Sequence, residues 1–327
     1  MIKNIYNHFA AFILRFLYNA GLRKEPLHSK LAEEVNNMED RLPQYGENII
    51  HTMQEGNAKI GLLINEGLPC MIARFGSTEL SVIYHYYLNE GGVRILEWPD
   101  YYKMEINKQS GFFPANNKML SKFSRFYIEH IKNIDILGVW YKPGEDIIVQ
   151  KYLSNTYLTP LKALEPYYFD EPWSNRLKGK KILVIHPFSD TIKSQYISCH
   201  RSLFNQEVLP DFSLDVIKAV QSLGTSKTKY STWFHAYDDM CNEISKKMFD
   251  VAIIGAGAYG LPLASFVKSL NKQAIHLGGA TQILFGIKGK RWDNLPAVSR
   301  LYNNYWTRPS SEEAVDKENQ LEDGCYW

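Results

Sequence analysis

Residues 251–265 read VAIIGAGAYGLPLAS: an apolar run, then Gly255, Gly257 and Gly260 at G-x-G-x-x-G spacing, then helical periodicity. An apolar run that passes through glycines into a helix describes a strand, a sharp turn and a helix packed back on the strand. The same unit occurs at 70–83, CMIARFGSTELSVI, with Gly76 in the turn. Further strands are expected at 134–140, 181–186, 207–210 and 273–278. Helices are expected at 78–89, 118–131, 212–223, 237–248 and 259–270, with another after Ser189. Strands separated by helices require a mostly parallel sheet covered on both faces, a Rossmann-like α/β fold. The stretch 141–180, rich in Pro and Tyr, shows no clear period.

Three divisions follow along the chain. Residues 1–66 read as a helical extension broken at Pro26 and Pro43, 67–308 as the α/β domain, and 309–327 as an acidic flexible tail. Residues 1–24 place Ile2, Ile5, Phe9, Phe12, Ile13, Phe16, Leu17 and Ala20 at helical spacing beside Lys3, Arg15, Arg23 and Lys24. That pattern suits a basic amphipathic helix on a membrane surface, or equally a helix docked on its own domain. No run is long enough to span a bilayer, and no convincing signal-peptide cleavage site is present. The net charge of +2 provides no global field for nucleic acid, so any anion site must be local. Four scattered cysteines without a CxxC pair argue against a zinc site or a disulfide framework and fit a reducing cytoplasm.

A dinucleotide fingerprint needs, besides its glycines, an acidic residue at the end of the next strand to hold the ribose. Here that strand, QAIHLGG, ends in His276, Gly278 and Gly279. An NAD(P)- or FAD-dependent oxidoreductase is therefore the disfavoured alternative. The glycines fit either tight helix–sheet packing or close approach of an anionic ligand to a helix N-terminus.

At 70–83, Arg74 closes a strand beside Gly76, Ser77 or Thr78 can cap the following helix, and Glu79 stands in its first turn. An arginine at a strand end calls for an anionic partner, Glu79 or a ligand diphosphate. In IHPFSDTIK (185–193), His186 ends a strand and Asp190 follows in the next helix, where an aspartate could accept an acceptor hydroxyl's proton. Lys288, Lys290 and Arg291 follow the last strand and could neutralise a leaving diphosphate, or form a solvated turn. Phe112 and Phe113 could stack a sugar, but are read in preference as core.

R-F-G-S-T-E at 74–79 resembles the R-x-G-D-G-E motif of bacterial glycosyltransferases with the GT-D-type fold. The segment 251–279 resembles that fold's closing strand, glycine turn, helix and strand. The resemblance implies transfer of a hexose from a nucleotide-sugar donor, UDP-linked, to a glycan or lipid-linked acceptor. The setting would be the assembly of cell-surface polysaccharide (capsule or exopolysaccharide) or glycoprotein, in the cytoplasm or on the inner face of the membrane. It places Arg74, Gly76, Ser77, Thr78, Gly255, Gly257, Tyr259, Gly278 and Gly279 in the donor site and Glu79 in a catalytic role. The reading of the residues adds His186, Lys290 and Arg291 to that site and Asp190 as a second catalytic candidate. The family's D-x-E carboxylates, associated with Mn2+ or Mg2+, map onto Ser77 and Glu79, so one carboxylate is absent. That loss leaves a non-catalytic scaffold protein of a glycan-assembly complex as a second alternative.

Overall fold

The computed structural model describes residues 44–89, 97–222 and 228–313. The expected helix at 1–24 and residues 314–327 lie outside the described residues. A small antiparallel hairpin, β1 (Gln44–Tyr45) and β2 (Asn48–Ile49), precedes helix α1 (Met53–Glu66). A capping box starts α1: the Thr52 hydroxyl accepts from Glu55 N–H, and the Glu55 carboxylate accepts from Thr52 N–H. Gly67, at φ +68°, stops it in the left-handed conformation that favours glycine.

Seven parallel strands form the main sheet: β3 (Cys70–Ala73), β4 (Ile136–Val139), β5 (Tyr157–Pro160), β6 (Lys181–His186), β7 (Ser213–Lys218), β8 (Val251–Ile254) and β9 (Gln273–His276). Their order across the sheet is β5-β4-β3-β9-β8-β6-β7. Strands β3, β4 and β8 are apolar at every position, as burial on both faces requires, whereas β9 between β3 and β8 begins at Gln273 and ends at His276. Met71, Ala73, Leu137, Val139, Leu183, Ile185, Ala252 and Ile254 feed one core, whereas Cys70, Ile72, Ile136, Ile182, Val184, Val251 and Ile253 feed the other. Period-two alternation along each strand thus builds two cores from one sheet.

The first core is closed by α2 (Ser77–Asn89), α3 (Asp100–Ser110), α4 (Asn117–Ile131), α7 (Trp233–Ser245) and α8 (Gly260–Ser269). The second is closed by α1, by 3-10 turns after β5, and by α6 (Ser189–Cys199). One short helix, α5 (Glu145–Tyr152), joins β4 to β5. The expected Rossmann-like α/β arrangement is present. Phe112 is fully buried against Phe123 and Trp233, so it serves the core.

Local expectations fail at three places, the first being 44–49, expected within the helical extension and observed as the β1–β2 hairpin. Residues 212–223, expected as a helix, contain edge strand β7, and 207–210, expected as a strand, are irregular. Phe212, Val216, Ile217 and Val220 imitate helical spacing. Pairing with β6 from Lys181↔Ser213 to His186↔Lys218 decides the outcome, since β-branched Val216 and Ile217 suit a pleated edge. The acidic C-terminal stretch is not loose from residue 309 onward either. Glu313 is buried, and its carboxylate accepts from Asp190 N–H (2.7 Å) and Thr191 N–H (3.2 Å) at the start of α6.

Candidate active site

Parallel strands all end on one edge of a sheet, and ligands of open α/β sheets bind at that carboxyl edge. A cavity of about 640 Å³ lies there, and all seven main strands reach it. Arg74 follows β3, Trp140 follows β4, Leu161 follows β5, His186 ends β6, Ser222 lies beyond β7, Gly255 follows β8, and His276 ends β9. The volume lies within the range of small-molecule sites.

Of the residues singled out from sequence, Arg74, Gly76, Ser77, Thr78, Glu79, His186, Gly255, Gly257, Tyr259, Gly278, Gly279 and Arg291 all line this cavity. Asp190 and Lys290 do not; both are exposed. Asp190 sits in the first turn of α6, where its backbone N–H donates to the Glu313 carboxylate. Lys288 is placed with its ammonium 5.3 Å from the Tyr302 ring and does not line the cavity.

The Arg74 guanidinium lies 4.1 Å from the Trp140 ring centroid, and its Nε donates to the Phe75 carbonyl. Stacking of this kind orients the planar cation. Lys142 approaches the same ring at 4.8 Å. Burial, together with the charges of Arg74 and Arg291, lowers the Lys142 ammonium from its ordinary value. Three cations therefore share one neighbourhood, an arrangement whose mutual repulsion an anionic ligand relieves.

Glu79 is 4% exposed, and one of its oxygens accepts from the Thr78 hydroxyl at 3.0 Å. Its carboxylate folds back over Gly76, where a Cβ would fall 1.9 Å from Oε2. A side chain at 76 would displace the Glu79 carboxylate from this position. Thr78 and Ser110 hydroxyls are hydrogen-bonded to each other beside it.

Two histidines stand at strand ends. His186 Nδ1 accepts from Phe188 N–H at 3.0 Å, which assigns the ring proton to Nε2. Burial pushes its pKa down to about 3, so the ring is a neutral hydrogen-bond donor at pH 7. His276 is likewise lowered to about 3 by burial, with a further contribution from Arg74, and its Nδ1 lies 3.3 Å from the Ile254 carbonyl. A neutral donor near a phosphate can bind it without the desolvation cost of a charge.

The glycine series proves to be dense packing around these rings. A Cβ on Gly255 would lie 2.6 Å from the Gly278 carbonyl oxygen and 2.8 Å from His186 Cδ2. Gly257 has φ +51°, and Gly260 lies under the His276 ring. Each glycine answers to a protein neighbour.

Aromatic residues Tyr167, Tyr168, Phe188 and Trp292 also line the cavity, and so does Glu165, near enough to Arg74 for that cation to oppose the rise of its pKa. Trp140, Glu165, Tyr167, Tyr168 and His276 were not found as site residues from sequence. Glu165, Tyr167 and Tyr168 follow β5, which carried no readable period, whereas Trp140 and His276 lie at the ends of strands that were expected and carried a positional signal that was not used.

The metal-linked pair implied by the resemblance is not reproduced. Ser77 is exposed, Glu79 is tucked over Gly76, and among the described residues no group of three or more His, Cys, Asp or Glu side chains could hold a metal ion. This donor set does not fit an ion held by protein alone, and no step below is routed through one.

No protein-family model matches the chain, and no curated protein matches it. Two solved structures of the domain of unknown function 1792, one a selenomethionine form and the other described as having a distinct glycosyltransferase fold, align with it at 13% identity and a TM-score of 0.44. Each alignment covers 82% of this chain and 94% of the other.

Proposed function

We propose that the protein is a glycosyltransferase that moves a hexose from a nucleoside diphosphate sugar, UDP-linked, to a hydroxyl of a glycan or lipid-linked acceptor. One observation carries this reading: Arg74, Arg291 and Glu79 meet in a single cavity at the carboxyl edge of the sheet, with Lys142 behind Trp140. Cations gathered together and a carboxylate beside them suit a ligand that is anionic at its diphosphate and rich in hydroxyls at its sugar. The resemblance of 74–79 and 251–279 to GT-D-type enzymes points the same way.

In this reading Arg74, held over the Trp140 ring, and Arg291 bind the diphosphate. They stabilise the charge that grows on its oxygen as the anomeric bond breaks, which is the largest electrostatic demand of the reaction. His186, neutral with Nε2–H as donor, contributes a hydrogen bond without adding a charge. Glu79 orients a sugar hydroxyl. The cell-surface setting and the membrane role of residues 1–24 belong to the same proposal. Among the described residues no helix is long and apolar enough to cross a membrane.

The test is UDP release from a panel of UDP-hexoses, with and without manganese, compared between the protein and Glu79→Gln. Loss of at least 100-fold in the variant supports the assignment. Full retained turnover in Glu79→Gln would remove Glu79 from it.

A further inference from the structure

Transfer to a hydroxyl needs a group that takes the hydroxyl's proton. Asp190, the sequence's candidate, does not line the cavity. A second carboxylate does line it. Glu165 follows the 3-10 turn Leu161–Leu164, directly after edge strand β5, and remains partly open to the cavity. The Tyr167 hydroxyl donates to its Oε2 at 2.9 Å and fixes the carboxyl in place. Leu161, Tyr167 and Tyr168 beside it form an aromatic and apolar wall, the surface on which a saccharide ring stacks. Glu79 is less suited, because it is 4% exposed, whereas Glu165 remains partly open.

Resting on the transferase reading above, we infer that Glu165 is the catalytic base, and that the Leu161–Tyr168 wall is the subsite for a saccharide acceptor. In the step, the acceptor oxygen bonds to the anomeric carbon as that carbon's bond to the diphosphate oxygen breaks. The bonding pair leaves on the diphosphate, and the hydroxyl proton passes to Glu165. Nothing is oxidised or reduced, and no further reactant is needed. With water in place of the acceptor the same step hydrolyses the donor.

The groups around Glu165 support the role. Burial raises its pKa from the ordinary carboxylate value, while the Tyr167 hydrogen bond, then Arg74 and Lys162, oppose that rise. Tyr168 is the other titratable neighbour, and Glu165 in turn raises the phenol. A carboxylate whose pKa is raised is a stronger base toward an acceptor hydroxyl.

The experiment compares the protein with Glu165→Gln and Tyr167→Phe, measuring UDP release from a UDP-hexose against pH, and stabilisation by UDP alone. Glu165→Gln is expected to lose 10²- to 10⁴-fold in kcat, to lose the acid limb of the profile, and to keep its stabilisation by UDP. Tyr167→Phe removes a bond that lowers the Glu165 pKa, so its acid limb moves to higher pH while UDP stabilisation persists. Unchanged kcat in Glu165→Gln, or an unmoved limb in Tyr167→Phe, overturns the base assignment alone. Absence of UDP stabilisation in the unmodified protein overturns the transferase reading, and the base with it.

Discussion

Gly260 and His276 are in contact so close that a Cβ on the glycine would fall 2.3 Å from Cε1 of the imidazole. The third glycine of the G-x-G-x-x-G series therefore seats helix α8 on the ring that ends β9. A motif that reads as a dinucleotide signature is satisfied here by a protein side chain.

Gly260→Ala is accordingly expected to destabilise the fold by about 1–3 kcal/mol, the cost of overpacking a site with no room. Urea unfolding measures it. A change within a few tenths of a kcal/mol would show that the ring can move aside.

Stability should fall as pH drops below 6.5. His186 and His276 have ordinary values of 6.5 and folded values of about 3, so between those limits the unfolded chain binds more protons. Each contributes a slope of about 1.4 kcal/mol per pH unit, with stability rising toward neutral pH. His186→Gln should flatten the dependence between pH 4 and 6 by one group's share; an unchanged slope would mean that His186 titrates normally in the folded state.

Glu145 acts in the opposite direction. It is fully buried, and its Oε2 accepts from Tyr45 Oη–H and from the N–H groups of Trp140 and Tyr141, while Oε1 has no hydrogen-bond partner. Burial raises its pKa to about 7 from 4.5, so in that window the folded state holds the extra proton and stability falls as pH rises. Replacement by Gln removes the titration, and the slope of stability against pH between 5 and 6.5 should become steeper by about 1.4 kcal/mol per unit. Equal slopes for the two proteins would contradict a neutral buried Glu145.

The acidic C-terminal stretch carries a structural contact. Glu313 accepts the Asp190 and Thr191 N–H groups and the Thr191 hydroxyl, and so caps α6 from 122 residues away in sequence. Glu313→Ala should cost about 1–2 kcal/mol by urea unfolding, the worth of a lost N-terminal cap. No measurable change would mean that α6 is satisfied by water.

Much of the site was legible because its residues mark strand ends. Arg74, His186, Gly255 and Gly278 each follow an apolar run, and parallel strands must end together. Asp190 and Lys290 were misjudged by a few residues: once the chain has entered a helix turn, side-chain direction depends on rotation about the axis, which an unaligned sequence does not reveal. Edge strand β5 escaped because it spans four residues and ends in Pro160, and β7 because its apolar residues imitate helical spacing. Glu165, Tyr167 and Tyr168 were lost with β5, since a site residue is recognised only through its element. Glu313 was unreadable for another reason, as its partner at α6 is defined by tertiary contact alone.

The central claim is that Arg74 on Trp140 holds a nucleoside diphosphate. The most direct measurement is thermal unfolding of the protein and of Arg74→Ala with UDP, and separately with NAD. UDP at 100 times its Kd is expected to add about 2.7 kcal/mol to the protein and little to Arg74→Ala at the same concentration, and NAD to add nothing. Stabilisation by NAD alone, or by UDP equally in both proteins, would contradict it.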